Sequence, residues 1–222
     1  MLIRKYFSLK TAFNATIILT VSIWFSFSRK IMPDTFSMSL IIASLYYGSN
    51  YLEAKFKRKQ VFQLCLYFLL VMFGTLSKIP SAYILILFIL FFVNKKIPLN
   101  RKLTFSVITA LAILPAILWY YYWVPQLVEK YGFWHFFMGK NFAQGFNEII
   151  QNMSITLKRF YDSALKYIGF IVFIFGLCYA IIKKESKVLF VFFLSFLVFL
   201  IFIFKSGYNF PLHNYYIIPF VP

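Results

Sequence analysis

The sequence predicts an all-α, polytopic membrane protein. It has about seven hydrophobic transmembrane helices, the start of an eighth, and an amphipathic helix in the extracytoplasmic interface. Three observations predict this. Apolar residues make up 62% of the 222 and charged residues only 13%, with a mean hydropathy of +0.78, whereas soluble domains run at about half apolar and about a quarter charged. The apolar residues gather in runs: Val188 to Phe204 holds one hydroxyl, Ser195, and no charge. With its flanks, that run is long enough to cross a hydrocarbon core about 30 Å thick. Finally, Lys and Arg cluster in every second loop between the runs.

Apolar segments occupy roughly 11–28, 35–52, 61–77, 79–93, 103–123, 166–182 and 188–204, and an eighth begins at Tyr215 and stops at Pro222. The first is the least apolar and superficially resembles a secretory signal. It has no small-residue cleavage site and leads straight into further spans, so it reads as a span. The third and fourth are separated only by Lys78, Ile79 and Pro80, which makes them a tight helical hairpin with Pro80 in the first turn of its second arm. The fifth closes on W-Y-Y-Y-W, Trp119 to Trp123. Amphipathic rings favour the membrane–water boundary, so belt anchoring is the first reading and stacking on a sugar ring the second.

The segment 124–165 is not read as a structureless loop. From Phe146 the apolar positions Ile149, Ile150, Met153, Leu157, Phe160, Tyr161, Ala164, Leu165 and Ile168 follow helical spacing, with Asn147, Glu148, Gln151, Asn152, Lys158, Arg159 and Asp162 between them. Such a helix suits the interface just before the sixth span. An ordinary exposed loop is the alternative.

Orientation follows from charge. Arg4, Lys5 and Lys10 precede the first span. Lys55, Lys57, Arg58 and Lys59 follow the second, Lys95, Lys96, Arg101 and Lys102 the fourth, and Lys183, Lys184 and Lys187 the sixth. These hold most of the basic residues and define the cytoplasmic side. The chain is therefore expected in the cell (inner) membrane. The net charge of +17 does not mark a nucleic-acid binder, because that function needs one basic exposed face rather than short clusters between apolar runs. Cys65 and Cys178 fall inside spans and read as packing residues.

The opposite side receives Ser28 to Asp34, the turn at Lys78, the stretch Trp123 to Lys166, and Lys205 to Asn214. Few residues there could carry chemistry. Asp34 follows Arg29, Lys30 and Pro33, so it could orient a hydroxyl-rich or cationic group, or simply cap a helix. Lys78 could hold a lipid phosphate as a point charge, or snorkel to the headgroups. His213, Tyr215 and Tyr216 could donate hydrogen bonds to phosphate or sugar, though Tyr and His are common at interfaces. His135 and His213 are too isolated for a metal site. No nucleotide, dinucleotide, serine-elbow or metalloprotease motif is present. No cofactor is expected, and a divalent metal is not indicated.

The order of these features is more specific than any one of them. S-R-K-I-M-P-D (Ser28 to Asp34) is followed by L-S-K-I-P (Leu76 to Pro80). Next comes W-V-P-Q-L-V-E-K-Y-G-F-W-H-F-F-M-G (Trp123 to Gly139), and last H-N-Y-Y-I-I-P-F-V-P (His213 to Pro222). This order resembles the central part of the C-type integral membrane glycosyltransferases, nearest the bacterial dolichyl-phosphate-mannose–protein mannosyltransferase and aminoarabinose transferase family. The resemblance covers nearly the whole chain. It implies a polyprenyl-phosphate sugar donor and an extracytoplasmic acceptor: lipid, glycan or protein. Carried over by position, Asp34 matches an acidic residue that organises the active site and Lys78 a basic residue near the lipid phosphate. His213, Tyr215 and Tyr216 match a segment lining the donor cavity, with Arg29 beside them. The family's principal catalytic acid lies in a first external loop that has no counterpart here. The sequence is therefore expected to be a partial membrane domain truncated at both ends, which leaves open the activity of this stretch by itself. A transporter or flippase of lipid-linked saccharide is the alternative reading.

Overall fold

The computed structural model describes residues 1–30, 32–54, 57–132 and 139–221. Among them every regular element is helical, as a backbone in lipid must bond within its own segment. After a short α1 (Leu2–Tyr6), the first apolar segment divides into α2 (Leu9–Thr20) and α3 (Ile23–Ser28). The break falls among hydroxyls. Thr16 and Thr20 donate back to the carbonyls of Ala12 (2.8 Å) and Ile17 (2.7 Å), and Ser22 donates to Leu19 O (2.7 Å). Such back-bonding bends helices. Ser22 Oγ then accepts from Trp24 N (3.2 Å) and so caps α3.

Two 21-residue helices follow, α4 (Pro33–Glu53) and α5 (Lys57–Ser77), each about 30 Å long. The fourth apolar segment is a ten-residue 3-10 helix, Ile79–Phe88, continued by α6 (Ile89–Val93). Pro80 sits in its first turn as expected. Then α7 (Leu99–Ile117), a π-helical stretch (Leu118–Trp123) and α8 (Val124–Tyr131) form one continuous run of 33 residues. Pro115, inside α7, removes one rung of the ladder just before the π-helical stretch. Gly132, left-handed at φ 71°, ends α8.

Beyond it lie α9 (Phe142–Gln151), α10 (Met153–Lys158), a π-helical turn (Arg159–Ala164) and α11 (Lys166–Ile182). The chain turns by 94° between Met153–Ala164 and Lys166–Ile182, through a left-handed Lys166 at φ 56°. The last elements are α12 (Ser186–Ser206), α13 (Asn209–Leu212) and a second 3-10 helix, Asn214–Phe220.

Each expected apolar segment is thus helical, but continuity is uneven. Among the described residues, three helices are both long and apolar enough to cross a bilayer: Arg58–Ser77, Leu99–Tyr131 and Ser186–Ser206. The bent pair ending in α11 makes a fourth if counted as one span. The first and fourth segments are interrupted, and α4 carries Thr35, Ser37, Ser39, Ser44 and Ser49. Of these, Thr35, Ser37, Ser44 and Ser49 are buried, while Phe62, Ile168 and Phe175 are 60–79% exposed. Hydroxyls inside and large apolar side chains outside is the arrangement of helices solvated by lipid.

The chain forms two compact units, Met1–Leu2 with Phe36–Met138, and Ile3–Thr35 with Gly139–Pro222. In the first, α5 packs on α7 and on Ile79–Phe88. Tyr67, completely buried, stacks on Phe105 (4.5 Å), meets Phe88 edge-on (5.6 Å) and shares a 2.7 Å hydrogen bond with Thr109. Arg101 donates to Leu52 O (2.9 Å) and Ala54 O (3.0 Å), satisfying carbonyls at the end of α4.

In the second unit α9 lies on α12. A Cβ on Gly145 would stand 1.8 Å from Phe204 O, so only glycine permits this approach. Glu148 clasps the same joint. It accepts from Lys140 Nζ (2.6 Å), Gln144 Nε2 (2.9 Å) and Tyr208 N (2.7 Å), while Lys140 N donates to Lys205 O (2.8 Å). The Lys140 bond, then the Tyr208 amide, hold the Glu148 carboxyl below its ordinary value. A depressed carboxylate stabilises the fold above its unfolded pKa, about 4.3, and that contribution is lost as pH falls through the lower folded value. The opening free energy of α9, from hydrogen exchange rates divided by the intrinsic rate at each pH, should therefore be flat from neutrality to about pH 5 and fall toward pH 3. Glu148→Gln should lower it already at neutrality and remove most of the pH dependence.

Candidate functional site

Asp34 owes its place to Pro33, which opens α4 at a fixed φ, and to α3, which packs against Asn214–Phe220 in the same unit. Asp34 lies inside the first helical turn, one position beyond Pro33, rather than capping the helix from outside. The positive end of the helix dipole favours its charge there. It is 1% exposed, and among the described residues it is the one acid that is buried. Burying a carboxylate is expensive, so the position is worth explaining by what surrounds it.

It lies within electrostatic range of Tyr215 and Tyr216. Both phenols can donate hydrogen bonds. His213 stacks on Tyr215 (5.1 Å) and meets Tyr216 edge-on (5.5 Å), and the two tyrosines lie edge-on at 5.0 Å. All three rings are half-exposed above the buried Ile217, Ile218 and Pro219. A carboxylate, two phenols and an imidazole can together orient a polyhydroxylated group and donate to an oxyanion.

The remaining expected site residues are Arg29 and Lys78. Arg29 ends α3 and is exposed, and among the described residues it makes no hydrogen bond or ion pair with this cluster. Lys78 belongs to the other unit. Its amide donates to Gly74 O (3.1 Å), and its extended backbone (φ −161°, ψ 105°) then breaks α5 from the 3-10 helix. Its carbonyl accepts from Ser37 Oγ at 3.1 Å, and its side chain is half-buried. His135 lies outside the described residues. No three His, Cys, Asp or Glu side chains converge among those that are described.

One functional candidate was not apparent from sequence. Arg159, read only as a polar position of the amphipathic helix, reaches 52 residues along the chain to the carbonyl of Pro211 (Nε, 2.8 Å). Its Nη2 also donates to Pro211 O and to Leu212 O (3.3 Å). No local pattern signals a pairing between residues so far apart.

The family model described as dolichyl-phosphate-mannose-protein mannosyltransferase matches residues 1–123, more than half of the chain. No curated protein matches, and no solved structure does.

Proposed function

The chain belongs to the dolichyl-phosphate-mannose-protein mannosyltransferase family of membrane glycosyltransferases, and from that premise we propose that it moves a sugar from a polyprenyl-phosphate donor to an extracytoplasmic acceptor. The observation that carries the reading is a buried Asp34 in the same compact unit as the clustered rings of His213, Tyr215 and Tyr216. In the transfer, an acceptor hydroxyl oxygen bonds to the anomeric carbon as the bond from that carbon to the phosphate oxygen breaks. Polyprenyl phosphate leaves with the electron pair, and the acceptor's proton passes to water. By family analogy the configuration inverts. Asp34 orients the reacting sugar, and the phenols and His213 donate to the oxygens where negative charge develops. Lys78 and Arg29 supply positive charge for the donor phosphate. Family membership does not favour the alternative of a saccharide transporter.

In this proposal the chain crosses the inner membrane about seven times and the site faces outward, following the alternation of basic loops. Helix geometry supports the crossings. The fifteen residues Ile79–Val93 would rise about 22 Å as α-helix, but about 28 Å with ten of them in 3-10 form, near the thickness of the core. From Leu99 to Trp119 is about 30 Å, which suits Trp119 to Trp123 as an outer belt. The 94° turn before Lys166 fits a helix that lies in the interface and then enters the sixth span.

The test is transfer itself. The protein, expressed from its complete gene and reconstituted in vesicles, should release polyprenyl phosphate as sugar appears on an acceptor. Lys78→Ala should raise the KM for the lipid-linked sugar about ten-fold or more, with Lys78→Arg retaining part of the affinity. Movement of intact donor between leaflets without any cleavage would overturn the reading.

A further inference from the structure

We propose that Arg159 is a positioning residue for the segment that carries His213, Tyr215 and Tyr216; this rests on the transfer reading above. The short α13 ends at Leu212, and its last carbonyls have no partner within the helix. Arg159 fills that role from the π-helical turn. Nε and Nη2 both donate to Pro211 O, Nη2 reaches Leu212 O at 3.3 Å, and Nη1 reaches Ser163 Oγ at 3.3 Å. At the next residue, His213, the backbone leaves the helix (φ −105°, ψ 115°), and the Asn214–Phe220 helix begins. The guanidinium thus grips the two residues before the turn that points His213 and the tyrosines.

Two further observations single out Arg159. The carboxylate nearest in sequence, Asp162, is engaged by Lys158 and Lys166, each at 3.9 Å, and among the described residues Arg159 forms no ion pair. Its charge is directed wholly at carbonyl and hydroxyl oxygens, which makes these bonds charge-assisted. Its neighbour Phe160 packs on Phe210 (6.0 Å) and Phe220 (5.0 Å), on either side of the reactive segment. One turn of helix therefore holds both ends of that segment by packing and its inner corner by a rigid fork. A lysine offers a point charge and cannot reproduce the fork.

Four variants from the complete gene decide the matter: Arg159→Ala, Arg159→Lys, His213→Ala, and Arg159→Ala combined with His213→Ala. Misplacing a reacting geometry by about 1 Å costs up to about 10²-fold. Arg159→Ala should lower kcat ten-fold or more with a smaller change in KM, Arg159→Lys should recover only part, and added guanidinium should partly rescue the alanine variant. Because Arg159 acts through the His213 segment, the double variant should lose little more than the worse single one. Independently of activity, modification of His213 by diethyl pyrocarbonate, read by mass spectrometry, should speed up several-fold in Arg159→Ala. Wild-type kcat in Arg159→Ala, or multiplicative losses in the double variant with His213 reactivity unchanged, would overturn the positioning role and leave the transfer reading standing. A wild-type protein that transfers nothing would overturn the transfer reading, while His213 reactivity would still report whether Arg159 holds the turn.

Discussion

Asp34→Asn is expected to lower kcat for sugar transfer by about 10²- to 10³-fold with little change in KM. Asparagine keeps the shape and still accepts hydrogen bonds but removes the charge. The change therefore isolates what the carboxylate does as charge develops on the reacting sugar and leaving phosphate, and a positioned carboxylate contributes about 10²- to 10⁴-fold in such roles. The alternative is that Asp34 serves the first turn of α4 only, where a favourable dipole interaction is worth about 0.3–1 kcal/mol. In that case Asp34→Asn would lower thermal stability slightly and leave transfer intact. Measuring both on one preparation separates the two.

Gly145→Ala is expected to be the most damaging structural substitution in the second unit. Alanine in place of glycine normally stabilises a helix by about 0.5–1 kcal/mol. Here the added Cβ would lie 1.8 Å from Phe204 O and 2.9 Å from its carbonyl carbon, both backbone atoms. The joint between α9 and α12 must open, at a cost of about 3 kcal/mol or more. Gly176→Ala, in α11 with nothing within 4 Å of the new atom, supplies the control and should be neutral or stabilising. Denaturation in detergent measures both. A Gly145→Ala protein as stable as Gly176→Ala would mean that α9 does not sit on α12 as described.

Much of the helical organisation was legible in the sequence because lipid imposes one strong rule: apolar runs must be helical and long. Every expected apolar segment is helical for that reason, and the hairpin at Lys78 follows from the three residues, Lys78 to Pro80, that separate its arms. What the rule does not contain is continuity. Thr16, Thr20 and Ser22 are ordinary hydroxyls in the first apolar run, yet the run breaks among them into α2 and α3, where Ser22 caps the second helix. The fourth run reads as an ordinary short helix, and its 3-10 winding leaves no mark on hydropathy.

At the candidate site, chemistry-bearing residue types were visible because so few polar groups stand outside the basic loops. Asp34 and the His213–Tyr216 run were recognisable for that reason. Their association in one unit was not visible, since it depends on α3 packing on a helix nearly two hundred residues later in the chain. Arg159 was hidden by a separation of 52 residues, its distant partners being two backbone carbonyls that any residue would present. Arg29 shows the converse: nearness to Asp34 in sequence gave it no hydrogen bond or ion pair with the cluster among the described residues.

The central claim is that the half-exposed His213, Tyr215 and Tyr216, set beside Asp34, meet the lipid-linked sugar. A polyprenyl-phosphate sugar carrying a photoreactive group near the phosphate, irradiated with the protein in vesicles and mapped by mass spectrometry, tests this most directly. The predicted result is labelling within the His213–Tyr216 peptide, suppressed by excess unmodified lipid-linked sugar and reduced in Asp34→Asn. Labelling confined to the exposed apolar residues of α11, unaffected by competitor, would contradict it.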